Sequence, residues 1–399
     1  VTHHRYLIVG GGMCSDAAVR GIREVDPSGD IAIVGAEADP PYKRPPLSKG
    51  LWKGDPLEKI WYGTESRGAR LYPGRTVAAV DPVHGRVECD GGESFTYERL
   101  LLATGGSPRR FPFDDGGVVH FRTVADYRRL RALAERGKRF AVVGGGFIGS
   151  EIAAALATNG KEVVLLFPGE GIGGRVFPPD LSRFLNDYYR EKGVEVRPGA
   201  SVTAVEREGE AFTLRVEGAG APDGGKVVVD GVVAGLGIEP NVSLASAAGL
   251  AVDNGIAVDE FLRTSRPEIL AAGDAASFPS RVLGKRVRVE HEDNAKAMGK
   301  AAGRAMAGAP EPYLHLPFFY SDLFDLGYEA VGELDPRLDV VADWREPFRK
   351  GVVYYLRDGR VRGVLLWNVW ERVEAARTLI AEAGPFRRED LFGRITDPA

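Results

Sequence analysis

The sequence predicts an α/β protein built from two three-layer βαβ domains and a C-terminal α+β domain, and three observations predict it. In 141–156, "AVVGGGFIGSEIAAAL", a buried strand, a glycine-rich turn and an Ala-rich helix follow one another. The same order opens the chain in 7–19, "LIVGGGMCSDAAV". From about Glu311 the texture changes to aromatic, short β-like runs that precede one amphipathic helix near "ERVEAARTLIAEA".

Tyr6 to Gly10 is an apolar run ending in glycine, "MCSDAAVRGIREV" has the Ala and Val spacing of a helix packed on a parallel sheet, and "DIAIVGAE" supplies the next strand. "RLLLATGGSPRR", 99–110, reads as another buried strand ending in a turn. The pattern then restarts as a second complete βαβ unit, "KRFAVVGGGFIGSEIAAALATNGKEVVLLF", 138–167. Between Val202 and Val233, strand-like alternation is broken by "GAGAPDGGK", which is hairpin chemistry. "VDGVVAGLGIEPN" and "PEILAAGDAASF" return to buried strands ending in glycine. A chain of 399 residues exceeds one compact core, at about 150 residues per domain. The reading is a discontinuous first domain, 1–112 and 232–311, a second at 113–231 inserted in it, and a third at 312–399.

The totals exclude several functions. Net charge is −4 with no long single-sign run, so nucleic acid is not an expected partner. No apolar stretch reaches the roughly 18 residues of a membrane span, and "VTHHRYLIVG" enters a strand without the regions of a secretion signal. Cys14 and Cys89 form no CxxC pair, which excludes a disulfide framework or dithiol centre and suits a reducing cytoplasm. No metal site is expected.

The glycine turns carry the chemistry. Gly144, Gly146 and Gly149 fill G-x-G-x-x-G: the first permits the tight turn, the second lets pyrophosphate approach the backbone, and the third lets helix pack on strand. The helix N-terminus then faces the negative charge. In the first unit Gly10 and Gly12 match and Ser15 takes the third place. Glycine turns between strand and helix also occur without a ligand, but two of them, each inside a complete βαβ unit, predict two Rossmann-like dinucleotide-binding domains. Glu37, after the first unit's second strand, is the candidate for ribose hydroxyls; the alternative is an exposed turn carboxylate. In the second unit that place falls on Phe167, the nearest acid is Glu170, and Arg175 stands nearby without an Arg cluster, which favours NADH over NADPH.

The ordered segments "GGGMCSDAA", "PPYKRPPLSKGLW", "LLLATGGSPRR", "GGGFIGSE", "LAAGDAASF" and "EHEDNA" resemble the FAD-dependent pyridine-nucleotide reductases, in the subgroup of ferredoxin and rubredoxin reductases and apoptosis-inducing factor. The resemblance runs over nearly the whole chain and implies a glutathione-reductase-like pair of domains, the first holding FAD, the second receiving NAD(P)H, with the tail covering the flavin. It implies FAD contacts at Gly10, Gly12, Ser15, Glu37, Arg44, Lys49, Ala103, Thr104, Gly105, Gly273, Asp274, His291 and Tyr320. NAD contacts are implied at Gly144, Gly146, Phe147, Ile148, Gly149, Glu151, Glu170, Arg175 and Gly237. Pro45 and Pro46 stiffen the segment bearing Arg44 and Lys49, and cations near a flavin stabilise charge on its reduced ring. Asp274 is alternatively a helix N-cap, His291 a packing residue, and Tyr320 core packing in place of the relatives' tryptophan.

Phe147 and Glu151 lie at i and i+4, on one helix face. In similar proteins the aromatic shields the flavin until nicotinamide displaces it, while the acid contacts the carboxamide and pairs with the lysine matching Lys49; packing and a helix-dipole partner are the structural alternatives. Three departures stand out: Ser15, Ala36 just before Glu37, and Gly169 where apoptosis-inducing factor has its NAD-binding glutamate. The expected function is hydride transfer from NADH to flavin N5 and delivery of electrons to a ferredoxin or rubredoxin, by a monomer or homodimer. Arg349, Lys350, Arg357, Arg360 and Arg362 form a basic edge for an acidic partner, or a solvated hairpin face. The alternatives are an NADH-responsive redox switch with slow turnover and NADH-linked dimerisation, and a peroxide-forming NADH oxidase.

Overall fold

A computed structural model describes residues 1–114, 116–221 and 225–396, which fall into two compact units. The first comprises Val1–Arg44, Glu58–Ser107 and Glu239–Pro317; the second comprises Pro45–Leu57, Pro108–Ile238 and Phe318–Ala399.

The first unit is organised by strand Thr2–Val9, whose last four residues are buried. It pairs in parallel with Ile31–Gly35 on one side and Ser94–Leu102 on the other; Ala69–Pro73 extends the first side and Ile269–Ala271 the second. Apolar residues on both faces of Ile31–Gly35 suit a strand covered from both sides. The antiparallel strands Val77–Asp81 and Arg86–Cys89 continue the sheet from the N-terminal half of Ser94–Leu102. Helices Met13–Val25 and Glu292–Met306 pack on each other through small residues: a Cβ at Gly303 would lie 2.0 Å from the Ala18 carbonyl oxygen.

In the second unit, Arg139–Val143, Glu162–Phe167, Val194–Pro198, Gly231–Ala234 and Val119–His120 form a five-stranded sheet whose pairings are all parallel. Helix Phe147–Thr158 makes the crossover between the first two, as a βαβ unit requires. Ser201–Glu208, Ala211–Glu217 and Lys226–Val229 form an antiparallel meander. Pro222, Asp223 and Gly224, inside the segment read as hairpin chemistry, lie outside the described residues. The C-terminal part is a five-stranded antiparallel sheet in the order Phe318–Leu323, Leu326–Gly332, Arg360–Trp367, Lys350–Arg357, Asp339–Glu346, followed by helix Val373–Ala381. Residues 45–57, short 3-10 turns after two prolines, belong to this unit although the chain on both sides of them belongs to the other.

Candidate functional site

Each unit holds one of the glycine turns, and the two are built by the same bonds. Gly10 N–H donates to Val34 O and Gly144 N–H to Leu166 O, both at 2.8 Å. Ala103 N–H donates to Val9 O and Gly235 N–H to Val143 O, again at 2.8 Å. Gly10 and Gly144 have φ of +116° and +119°, and a Cβ at either would sit 2.1 Å from Ala103 O or 2.4 Å from Gly235 O. Only glycine fits both the left-handed backbone and the approach. Helices Met13–Val25 and Phe147–Thr158 start at Gly12 and Gly146, which supply no side-chain cap, and a Cβ at either would meet nothing within 4 Å. Free space over unpaired N–H groups is what a pyrophosphate needs, so the residues fit dinucleotides.

The third motif position separates the turns. A Cβ at Gly149 would lie 1.8 Å from Gly144 O, whereas Ser15 is accommodated and its Oγ donates to Gly10 O at 2.6 Å. The departure at Ser15 is thus a hydroxyl closing the turn that glycine closes by contact.

In the first unit Glu37 accepts from the Tyr42 hydroxyl and from Arg44 Nη2, both at 2.5 Å. Burial works against the Arg44 charge, but Tyr42, Glu37 and Asp274 outweigh it and raise the guanidinium above its usual value. Tyr42 carried no signal beyond standing two residues before Arg44. Thr104 Oγ1 donates to Asn241 O at 2.7 Å and Asn241 Nδ2 returns a bond to Thr104 O at 2.9 Å, which fixes the turn through Gly105, at φ +63°. Gly273, at φ +77°, opens the short turn bearing Asp274, and Cys14 lies against it. Burial, with Asp274 adding, pushes the Cys14 thiol up. His291 is the N-cap residue of Glu292–Met306, and burial lowers its imidazole to about 4 against the opposing pull of Asp274 and Asp293.

In the second unit Glu151, 4 % exposed, accepts from Lys49 Nζ at 2.6 Å, Ser48 Oγ at 2.5 Å and Ser321 Oγ at 2.5 Å. Lys49 also lies 5.3 Å over the Tyr320 ring, which is 37 % exposed. Phe147 packs against Phe319 with centroids 5.0 Å apart, and Ile148 beside it is exposed. The family resemblance implied the Lys49–Glu151 pair but not Ser48 and Ser321, since isolated serines form no motif. Phe167 is buried, and its ring fills the space where a Cβ of Gly145 would stand. Beyond it, Gly173 N–H bonds Gly145 O at 2.8 Å, and Asn186 takes Ile172 N–H and gives to Glu170 O. The side chains of Glu170 and Arg175 are exposed, and Gly237, at φ +85°, accepts from Arg109 N–H. Of the basic edge, Arg357 and Arg362 pair with Glu333, and Arg349 lies over the Phe184 and Tyr188 rings. Among the described residues no His, Cys, Asp and Glu group could hold a metal ion, and no helix is long and apolar enough to cross a membrane.

The family model "Pyridine nucleotide-disulphide oxidoreductase" matches residues 4–299, and the model "Apoptosis-inducing factor, mitochondrion-associated, C-term" matches 302–347 and 342–382. The chain is 34% identical to the 5,5'-dehydrodivanillate O-demethylase ferredoxin reductase subunit of a Sphingobium species, over 98% of this chain and 96% of that one. It is 36% identical to the ferredoxin–NAD(+) reductase component of the anthranilate 1,2-dioxygenase system of Burkholderia cepacia, over 94% of each. The crystal structure of the covalent putidaredoxin reductase–putidaredoxin complex superposes with a TM-score of 0.89 at 30% identity, covering 98% of this chain and 95% of that one.

Proposed function

This chain belongs to the pyridine nucleotide-disulphide oxidoreductase family, and on that premise we propose that it is an FAD flavoprotein oxidising NADH and reducing a ferredoxin- or rubredoxin-type protein. The observation that carries the reading is the duplicated turn at Gly10 and Gly144, with matching φ and matching backbone bonds. Two such turns call for two dinucleotides. FAD, when bound, supplies the redox chemistry, accepting a hydride from reduced nicotinamide and releasing electrons singly.

We assign FAD to the segments 1–112 and 232–311, NADH to 113–231, and an interface role to 312–399. Gly10, Gly12 and the first N–H groups of Met13–Val25 take the pyrophosphate of FAD, and Glu37, steadied by Tyr42 and Arg44, takes its ribose hydroxyls. Asp274 and His291 contribute from their turn and helix start. Gly144–Gly149 takes the pyrophosphate of NADH, Phe147 yields its place to the nicotinamide, and Glu151 with Lys49 orients the carboxamide. NADH is favoured because Arg175 stands without the Arg cluster that a 2′-phosphate needs.

Although the family is named for disulphide chemistry, this chain holds no dithiol centre among the described residues. Cys14 and Cys89 are free and buried on separate elements. Electrons therefore go to an external acceptor, which the similarity to ferredoxin reductase components also supports. Two free cysteines suit a reducing compartment, and we place the protein in the cytoplasm.

A second reading, an NADH-responsive redox switch, is favoured by the apoptosis-inducing-factor model over the C-terminal part. Anaerobic stopped-flow mixing with NADH and with NADPH separates the two. Fast bleaching with NADH and rapid turnover with a ferredoxin support the reductase. Slow bleaching, a persistent long-wavelength band and NADH-dependent dimerisation support the switch.

A further inference from the structure

Glu151 draws its donors from two places. Ser48 and Lys49 come from the segment of 3-10 turns at 45–57. Ser321 comes from the antiparallel strand Phe318–Leu323 and is 1% exposed. In register Ser321 stands opposite Tyr328. A serine hydroxyl has one proton to give, and Ser321 gives it to Glu151 Oε1.

Tyr328 is held rigidly. Its ring stacks on Trp367 at 5.6 Å and 6°, and Phe177 meets it edge-on at 5.2 Å. Burial, reinforced by the Glu151 charge, pushes its phenol far up. Lys49, by contrast, is a flexible stem whose ammonium also stands over the Tyr320 face.

We propose that Ser321 of the C-terminal sheet is a positioning residue that, alongside Lys49, keeps the Glu151 carboxylate aimed at the nicotinamide carboxamide. This rests on the reading that Glu151 meets the nicotinamide end. Ser321 acts through Glu151 and touches no reacting atom.

The test is calorimetric titration of the holoprotein with NAD+ and with ADP-ribose, which keeps the pyrophosphate and adenosine but lacks nicotinamide. Ser321→Ala weakens NAD+ binding about tenfold, the lower end of what a hydrogen bond to a charged group carries, and leaves ADP-ribose within about twofold. Ser321→Thr restores NAD+ binding. Equal weakening of both ligands, or none of either, overturns the proposal. Glu151→Gln separates the two levels: if it weakens NAD+ while Ser321→Ala does not, only the positioning role falls. If Glu151→Gln also leaves NAD+ unchanged, the reading beneath it falls as well.

Discussion

Replacing Lys49 with methionine keeps most of the apolar stem and removes the ammonium from a carboxylate that is 4% exposed. Stranding one partner of a buried ion pair costs about 3–5 kcal/mol. Here the Ser48 and Ser321 hydroxyls still reach Glu151, and Lys49 itself is 13% exposed. Since each hydrogen bond to a charged group retains about 1.5 kcal/mol or more, the expected loss is about 2 kcal/mol. In a unit of this size each kcal/mol lowers the midpoint by roughly 2–4 °C, so K49M should melt about 4–8 °C below the parent. Scanning calorimetry is the assay, and the transition that Glu151→Gln also moves identifies the unit concerned, because a chain with two units need not unfold in one step. Glu151→Gln should cost less, as the Lys49 ammonium it strands is 13% exposed and keeps its place over the Tyr320 face. The double variant should be more stable than the sum of the two losses implies, by about 1 kcal/mol. If K49M melts within about 1 °C of the parent, or if the two losses simply add, the pair is not the buried, interacting unit described above.

Three further outcomes follow from the structure. Gly10→Ala and Gly144→Ala each force a Cβ within 2.4 Å of a carbonyl oxygen at positive φ. The first should purify with little flavin, read as flavin absorbance per chain, while the second keeps its flavin and loses about tenfold or more in NAD+ affinity. His291, lowered to about 4 by burial, is harder to protonate folded than unfolded. Stability is therefore present above the unfolded value of about 6.5 and is lost as pH falls from there towards 4, so His291→Gln should flatten the melting temperature over that window. Cys14 and Cys89 are both buried, and burial raises both thiols. Neither should react with a thiol reagent at pH 8 in the native protein, and both should react after denaturation; a fast-reacting native thiol would contradict the assignment of electrons to an external acceptor.

What the sequence made legible follows from how each feature is encoded. The two turns were readable because a left-handed φ together with a backbone approach of 2.1 or 2.4 Å admits glycine alone, and the helices after them carry the small residues that close packing requires. The flanking strands were readable as continuous apolar runs, since parallel strands are covered on both faces. The Lys49–Glu151 pair came from a resemblance between ordered motifs, because no local pattern joins residues 102 apart in the chain. Tyr42, Ser48 and Ser321 escaped altogether. Each donates a hydroxyl to a carboxylate of one of the two sites, yet a lone hydroxyl in a loop or strand has no spacing, charge or periodicity to single it out. What they supply is satisfaction of a partly or wholly buried acid, a property of the packed structure that becomes visible only when the acid's neighbours are known. The same distinction explains Ser15. By motif it is a defect in the third position, but in the folded turn its hydroxyl reaches the Gly10 carbonyl at 2.6 Å and replaces a steric requirement with a bond. A serine can thus stand where the pattern asks for glycine provided that the helix sits far enough from the turn, and the spacing in the first unit allows it while the 1.8 Å approach at Gly149 forbids it in the second.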